Sequence, residues 1–424
     1  MQNVKSFLSP TRLLIALALI SLAVTPGCSS SSSSTETSSI WIGTWGSAQY
    51  LADGENALPA DAKSKVTLRQ IVRISAGGST LRLRISNAFG TEPLRISALH
   101  IARPIEHASS RIDPATDRAV TFSARPGVII PAGAELTSDA VSFVAEPLSR
   151  IAVSMHLETV PTQQTGHPAS HTTSYVSTDS PPTALELETA TAADRWWFLS
   201  SIDVLARDGY SIVTLGDSIT DGSGSTTNGN DRWPDMLAER LQRSSAHHNV
   251  GVINAGIGGN RLLLDGKGPN ALARFDRDVL ARSNVRYLIV LEGINDLGML
   301  TRDGAVPESH HEELVRRMIQ AYGEMIARAR THGIEVIGAT IMPFGGFEYY
   351  HPNEMNERDR QAVNAWIRSP ENFDAVVDFD EATANPDQPD RLRAEYDSGD
   401  HIHPSPAGFR AMGEAIPLEL FAPK

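Results

Sequence analysis

Serine, histidine and aspartate, the side chains that together carry out nucleophilic acyl transfer, stand in this chain at positions that could meet. The run Ser211-Ile212-Val213-Thr214-Leu215 leads into Gly216-Asp217-Ser218-Ile219-Thr220-Asp221-Gly222 and reads as a buried strand ending in a Gly-Asp-Ser turn. Such a context puts the Ser218 hydroxyl at the carboxyl end of a strand, where α/β sheets bind their ligands. Alone, Ser218 is an ordinary turn residue. It becomes a nucleophile only if the chain also supplies a base, an orienting group and oxyanion donors. Asp400-His401-Ile402-His403-Pro404 supplies the first two, because a histidine three residues after an aspartate can share one short loop with its own carboxylate. Two Gly/Asn segments supply the donors: Asn254-Ala255-Gly256-Ile257-Gly258-Gly259-Asn260 and Gly293-Ile294-Asn295-Asp296. Taken singly, Gly259 answers a need for positive φ, Asn295 caps a turn or helix, and His403 caps a closing helix that Pro404 begins.

These residues need a frame, and the second half of the chain alternates strand and helix patterns. Strand runs occur at 211–215, 250–254, 285–292, 335–340 and 375–378, with helical patterns at 233–244, 312–331 and 358–367. Within the long helix, Leu314, Met318, Ala321, Met325 and Ala329 recur at helical spacing and form a core stripe. Strands alternating with helices predict a parallel sheet between helical layers. From Trp41 to Ile202 the pattern is different. Thr80-Leu81-Arg82-Leu83-Arg84-Ile85-Ser86 alternates apolar and polar residues, and short runs with turns between them recur from residue 67 to 156. That pattern predicts an all-β sandwich of jelly-roll type.

Gly-Asp-Ser, a Gly-rich turn, Gly-x-Asn-Asp and Asp-x-x-His-Pro, in this order, resemble the SGNH/GDSL hydrolase superfamily. The resemblance covers roughly residues 208–424. Residues 225–228, 232–235 and Met342-Pro343-Phe344-Gly345-Gly346 are similar to secreted bacterial esterases of the xylan-cluster arylesterase/acylhydrolase type. The resemblance implies a flavodoxin-like three-layer α/β/α domain with the site at the carboxyl ends of its strands. It implies Ser218 as nucleophile, His403 as general base and acid, and Asp400 as the residue that orients the imidazole. It also implies an oxyanion hole made by the Ser218 N–H, the Gly259 N–H and the Asn295 amide. Gly258 stands next to Gly259 and competes for that role; counting from Asn254 favours Gly259. The Gly-x-Ser-x-Gly elbow of α/β-hydrolases is absent.

The reaction expected is hydrolysis of short-chain, foremost acetyl, esters on carbohydrate, so the partner is a small-molecule or polysaccharide ester. A lysophospholipase or thioesterase would use the same groups on longer chains, a sugar O-acetyltransferase would pass the acyl group to a hydroxyl, and a noncatalytic surface-binding lipoprotein is the reading of a different class. Phe344, Tyr349 and Tyr350 are expected to wall the substrate pocket. His310, His311 and His351 read as solvated, and Asp217 and Asp296 as supports of their loops. No His/Asp/Glu spacing suits a metal, so neither metal nor cofactor is expected.

Composition narrows the class further. The 424 residues are 41% apolar and 21% charged, with a formal net charge of -13. So acidic a chain with no concentrated basic stretch is a poor partner for nucleic acid. Lys5 and Arg12 precede the apolar run 13–24, which predicts a signal peptide over residues 1–27. Cys28, the only cysteine, stands where a lipobox cysteine would be lipidated, and residues 28–39 read as a serine-rich tether. The expected product is an exported lipoprotein, outer-membrane or periplasmic, touching membrane only through Cys28, with soluble secretion as the alternative. A β accessory domain over 40–205 and a catalytic domain over 206–424 follow. Trp41, Trp45, Trp196 and Trp197 are candidates for stacking on sugar as well as for packing. His167-Pro168-Ala169-Ser170-His171 either reaches the active site or forms an ordinary polar loop.

Overall fold

Five parallel strands frame the second half: β1 (Tyr210–Gly216), β2 (Val250–Gly256), β3 (Val285–Leu291), β4 (Glu335–Ala339) and β5 (Ala375–Val377). Their spatial order is β2-β1-β3-β4-β5, and every neighbouring pair is parallel. The order reverses between β2 and β3, so the switch point falls at β1, the strand that runs into Ser218. The computed structural model describes residues 39–421. The expected signal peptide, Cys28 and most of the serine-rich tether therefore lie outside the described residues.

β1 is buried along its whole length, as a strand covered on both faces must be. The helices that cover the sheet include α1 (Ser218–Asp221), α2 (Trp233–Arg243), α3 (Ala271–Phe275), α4 (Ile294–Thr301), α5 (Glu308–Thr331) and α6 (Glu354–Arg368). The expected stripe of α5 holds at Met318, Ala321, Met325 and Ala329, which are buried, while Leu314 is only partly so. The last helix, Pro406–Ala415, begins two residues later than Pro404 suggested, with Ser405 as its cap and Pro406 at its first position. Among the described residues no helix is long and apolar enough to cross a membrane.

The first half is antiparallel. A five-stranded sheet places Leu199–Arg207 between Ser39–Gly46 and Gly78–Ser86. A seven-stranded sheet is centred on Ser64–Arg73, Arg150–Thr159 and Leu94–Pro104. A small third sheet joins Arg195–Trp197, Gln164–Pro168 and Tyr50–Ala52. The alternation expected at 80–86 is present: Leu81, Leu83 and Ile85 are buried, whereas Arg82 and Arg84 are partly exposed. These side chains share one core with Val66, Leu68, Val72, Val153 and Met155 from the larger sheet.

Trp45, Trp196 and Trp197 are buried, and the ring of Trp45 meets that of Trp196 edge-on at 4.9 Å. Trp41 is partly covered by the Arg82 guanidinium 4.5 Å from its ring. Packing, not sugar stacking, accounts for these three buried tryptophans.

The antiparallel and parallel sheets are stitched together at strand level. The Gly43 N–H donates to Ser211 Oγ at 2.8 Å, and the Val252 N–H to Ser75 Oγ at 2.8 Å. Arg282, buried, reaches from the α/β side to the Ser200 hydroxyl at 2.9 Å and to the Ser47 carbonyl at 3.2 Å.

Candidate active site

β1 ends at Gly216, and the chain turns at once into α1. Asp217 caps that helix by accepting the Ile219 N–H at 2.9 Å. Ser218 is the first helical residue, only 7% exposed. The helix lies tight against the end of β2: a Cβ built on Gly256 would stand 2.3 Å from the Asp221 backbone nitrogen. Only glycine lets the two backbones approach so closely.

The Ser218 hydroxyl lies 2.8 Å from His403 Nε2, and His403 Nδ1 lies 2.6 Å from Asp400 Oδ2. The loop that brings them there is built from its own carboxylates. Asp400 Oδ1 accepts the backbone N–H groups of Ile402 at 3.1 Å and His403 at 2.9 Å. Asp397 does the same for Gly399 and His401, and it holds the His401 ring at 2.6 Å. His401 is thereby turned out to solvent at φ 71°, while His403 faces inward.

Burial pushes the Asp400 carboxyl up, but hydrogen bonds from the His403 ring and from backbone amides outweigh it and hold Asp400 well below the usual carboxylate range. An ionised Asp400 can only accept, so the proton of the neutral imidazole sits on Nδ1. His403 Nε2 is then the acceptor for the Ser218 hydroxyl.

Gly259 and Asn295 arrive from two further strand ends. Gly259 follows β2 at φ 69°, a conformation that costs any other residue strain. Among the described residues, neither the Ser218 N–H nor the Gly259 N–H donates to another group. The Gly258 N–H is engaged, donating to Asp221 Oδ2 at 3.1 Å. Asn295, on the first turn of α4, donates one amide hydrogen to the Asn260 carbonyl at 2.8 Å and has a second to spare.

Tyr350 lies behind Asn295, its hydroxyl donating to Asn295 Oδ1 at 2.7 Å, so the amide cannot flip. Asp296 ties the same two segments together by accepting the Leu262 N–H at 2.8 Å and the Leu263 N–H at 3.2 Å. Asp217 and Asp296 thus support their loops as their positions suggested. Burial pushes Asp217 up to about 7 and Asp296 up to about 6.

Sequence reasoning missed the hub beneath these loops. Arg274, fully buried, donates to the carbonyls of Gly216 at 3.0 Å and Ala255 at 2.7 Å and to Asn260 Oδ1 at 2.9 Å. It also pairs with Asp278 at 3.1 Å and Glu292 at 3.2 Å. One guanidinium therefore braces the ends of β1, β2 and β3. Nothing in the local pattern of Ala271–Phe275 separates this arginine from a solvated one.

The expected pocket residues have different positions. Phe344 packs in the hydrophobic core and edges a cavity with Gly345, Gly346, Asn353 and Arg391, and the Tyr350 hydroxyl holds Asn295. Tyr349 is exposed, with the Arg302 guanidinium 4.5 Å from its ring. Phe347, partly buried, places its ring 6.4 Å from that of His403. Expected to be solvated, His311 is instead buried against Asp359 between α5 and α6, where the pair satisfies both groups. Among the described residues no group of three or more His, Cys, Asp or Glu side chains could hold a metal ion.

Residues 214–411 match the GDSL-like lipase/acylhydrolase family. No curated protein matches the chain. Solved structures similar to it include a GDSL-like lipase from Bacteroides thetaiotaomicron, 18% identical over 48% of this chain and 84% of that one, with a TM-score of 0.35. An acetyl xylan esterase is 19% identical over 48% of this chain and 96% of its own, with a TM-score of 0.36. An alpha/beta hydrolase enzyme from the metagenome of Lake Arreo is 21% identical over 49% and 92%, again with a TM-score of 0.36.

Proposed function

We propose that this chain, which belongs to the GDSL-like lipase/acylhydrolase family and is a hydrolase acting on esters, is a serine esterase that removes short acyl groups, acetyl foremost, from carbohydrate. The observation that carries the reading is the hydrogen-bonded series Ser218–His403–Asp400, at 2.8 Å and 2.6 Å, beside unengaged N–H groups of Ser218 and Gly259. In it, Ser218 Oγ attacks the ester carbonyl while His403 Nε2 takes its proton. The imidazolium that forms is stabilised by Asp400. The carbonyl oxygen, now negative, receives hydrogen bonds from the Ser218 and Gly259 N–H groups and from the spare Asn295 hydrogen. His403 returns the proton to the leaving alcohol, and water then hydrolyses the acyl-enzyme by the same path in reverse.

The groups around Ser218 support a polar substrate. Lys267 and Arg261 lie on the loop after Gly259, Ser398 and Asp400 on the histidine loop, and Lys267 is exposed within reach of Gly259. Residues 1–27 as an export signal and Cys28 as a lipid anchor complete the proposal by setting such an enzyme outside the cytoplasm. Incorporation of a labelled lipid precursor, lost in Cys28→Ala, tests that part.

The enzymatic reading is tested by acetate release from a panel of acetylated polysaccharides, with p-nitrophenyl esters of increasing chain length alongside. Acetate release that disappears in Ser218→Ala supports it. A preference for long acyl chains would favour the lysophospholipase or thioesterase reading. Acetyl transfer to an added sugar in place of water would favour the acetyltransferase.

A further inference from the structure

His167 belongs to the antiparallel strand Gln164–Pro168, yet its ring ends against the loop that carries the nucleophile. It is 2% exposed. Its Nδ1 lies 2.7 Å from the Ala48 carbonyl oxygen and its Nε2 2.8 Å from Asp221 Oδ1. A carbonyl oxygen only accepts, so Nδ1 bears a proton. The other oxygen of Asp221 accepts the Gly258 N–H at 3.1 Å, leaving the carboxylate with a donor on each side. With Asp221 Oδ1 accepting from Nε2, the ring bears a proton on each nitrogen and is an imidazolium.

Burial opposes the charge on His167. The Asp221 carboxylate and the hydrogen bonds to Asp221 and Ala48 outweigh that and raise its pKa. Other titratable groups face the pair: Arg232, itself held by Asp235 at 2.7 Å, the neighbouring His171, and Tyr50, edge-on to the ring at 6.1 Å. Trp196 stacks on the imidazole at 5.6 Å, so the ring has one available orientation.

Asp221 is the last residue of α1, three residues after Ser218, and Gly258 immediately precedes Gly259. One carboxylate therefore ties the helix that carries Ser218 to the turn that carries Gly259. We propose that His167 is a positioning residue for ester hydrolysis: it fixes Asp221, and through Asp221 it fixes the spacing between the Ser218 and Gly259 N–H groups that receive the oxyanion. The inference rests on the serine-esterase reading of the site. On this account the antiparallel half supplies part of the active-site frame.

The test uses the full chain with His167→Gln, and with Asp221→Asn as a second variant that keeps the shape but can no longer accept from both donors. Hydrolysis of p-nitrophenyl acetate gives kcat and KM. A trifluoromethyl ketone, which adds Ser218 Oγ and places its oxyanion among the same donors, gives an inhibition constant. Misplaced donors should lower kcat by roughly 10- to 100-fold, leave KM within about two-fold, and weaken the ketone by a matching factor. Unchanged kcat in a folded His167→Gln protein, a loss confined to KM, or a loss of kcat with undiminished ketone affinity would each overturn the proposal.

Should neither variant fold, nitrogen-15 NMR of the histidine-labelled wild-type chain decides: a buried ring that keeps both nitrogens protonated above the pH at which exposed histidines lose theirs is expected, and its absence overturns the inference. Ser218→Ala keeps the two levels apart. Turnover in that variant would remove the site itself, whereas an inactive Ser218→Ala beside a fully active His167→Gln would remove only the role of His167.

Discussion

Asp217 is the residue whose replacement should reveal most about how the turn that carries Ser218 is held. Its carboxyl is 1% exposed and caps α1 through the Ile219 N–H. Burial drives it from the ordinary 3.8 up to about 7, more than the Ile219 N–H and His403 pull it back. In the unfolded chain it ionises near the ordinary value. Between roughly pH 4 and pH 7 the folded protein therefore holds a proton that the unfolded chain releases. The fold loses stability as pH rises through that window, and the loss persists above it. Three units at 1.36 kcal/mol each set an upper limit of about 4 kcal/mol.

Asn at this position keeps the accepting oxygen and the capping geometry but has nothing to ionise. Urea denaturation of wild type and Asp217→Asn checks this. Equal stability near pH 4 is expected, with the variant ahead by as much as about 4 kcal/mol near pH 8. A difference that does not change with pH, or a wild type that gains on the variant as pH rises, would refute the reasoning.

Asn295→Ala removes one proposed oxyanion donor and should cost roughly 10²–10³ in kcat, read with p-nitrophenyl acetate beside a melting curve that shows the fold retained. Tyr350→Phe keeps the packed ring but frees the Asn295 amide to turn, so kcat should fall by roughly 10-fold with KM little changed; full activity would show that the hydroxyl does not orient the amide. Arg274→Met strips buried carbonyl and carboxylate acceptors of their donor at three strand ends, and a loss of roughly 3–5 kcal/mol is expected by denaturation. Gly256→Ala drives a methyl group onto the Asp221 backbone, which cannot yield as a flexible side chain would. It should cost about 1–3 kcal/mol and displace the helix that carries Ser218, lowering stability and kcat together.

What could be read without a structure was what local periodicity encodes. β1 to β5 are short apolar runs flanked by turn residues, and each extends within two residues of its expected limits. The Asp-x-x-His spacing works because Asp400 and His403 satisfy each other inside one loop, with no need of distant partners. The residues that escaped are those whose duty is set by what lies across the fold. Arg274 is one helical arginine among many until the ends of three strands converge on it. His167 lies in a segment whose sequence left open whether it reached the active site, and only the fold shows it gripping an aspartate 54 residues away. Tyr350 and Phe344 are aromatic in a Gly-rich segment, which suggests a pocket wall. Only the fold turns one onto Asn295 and the other into the core. Asp221 was within reach: three residues after a serine that opens a helix, it must sit at the other end of that single turn, next to whatever packs on it.

The proposed role of Ser218, a nucleophile activated by His403, is open to chemical trapping. A fluorophosphonate probe tests it directly, since attack by the serine oxygen forms an O–P bond and expels fluoride. Mass spectrometry of the labelled, digested protein should find the adduct on Ser218, absent from Ser218→Ala and strongly slowed in His403→Ala. An adduct on another residue, or ester turnover at the wild-type rate in Ser218→Ala, would contradict the account.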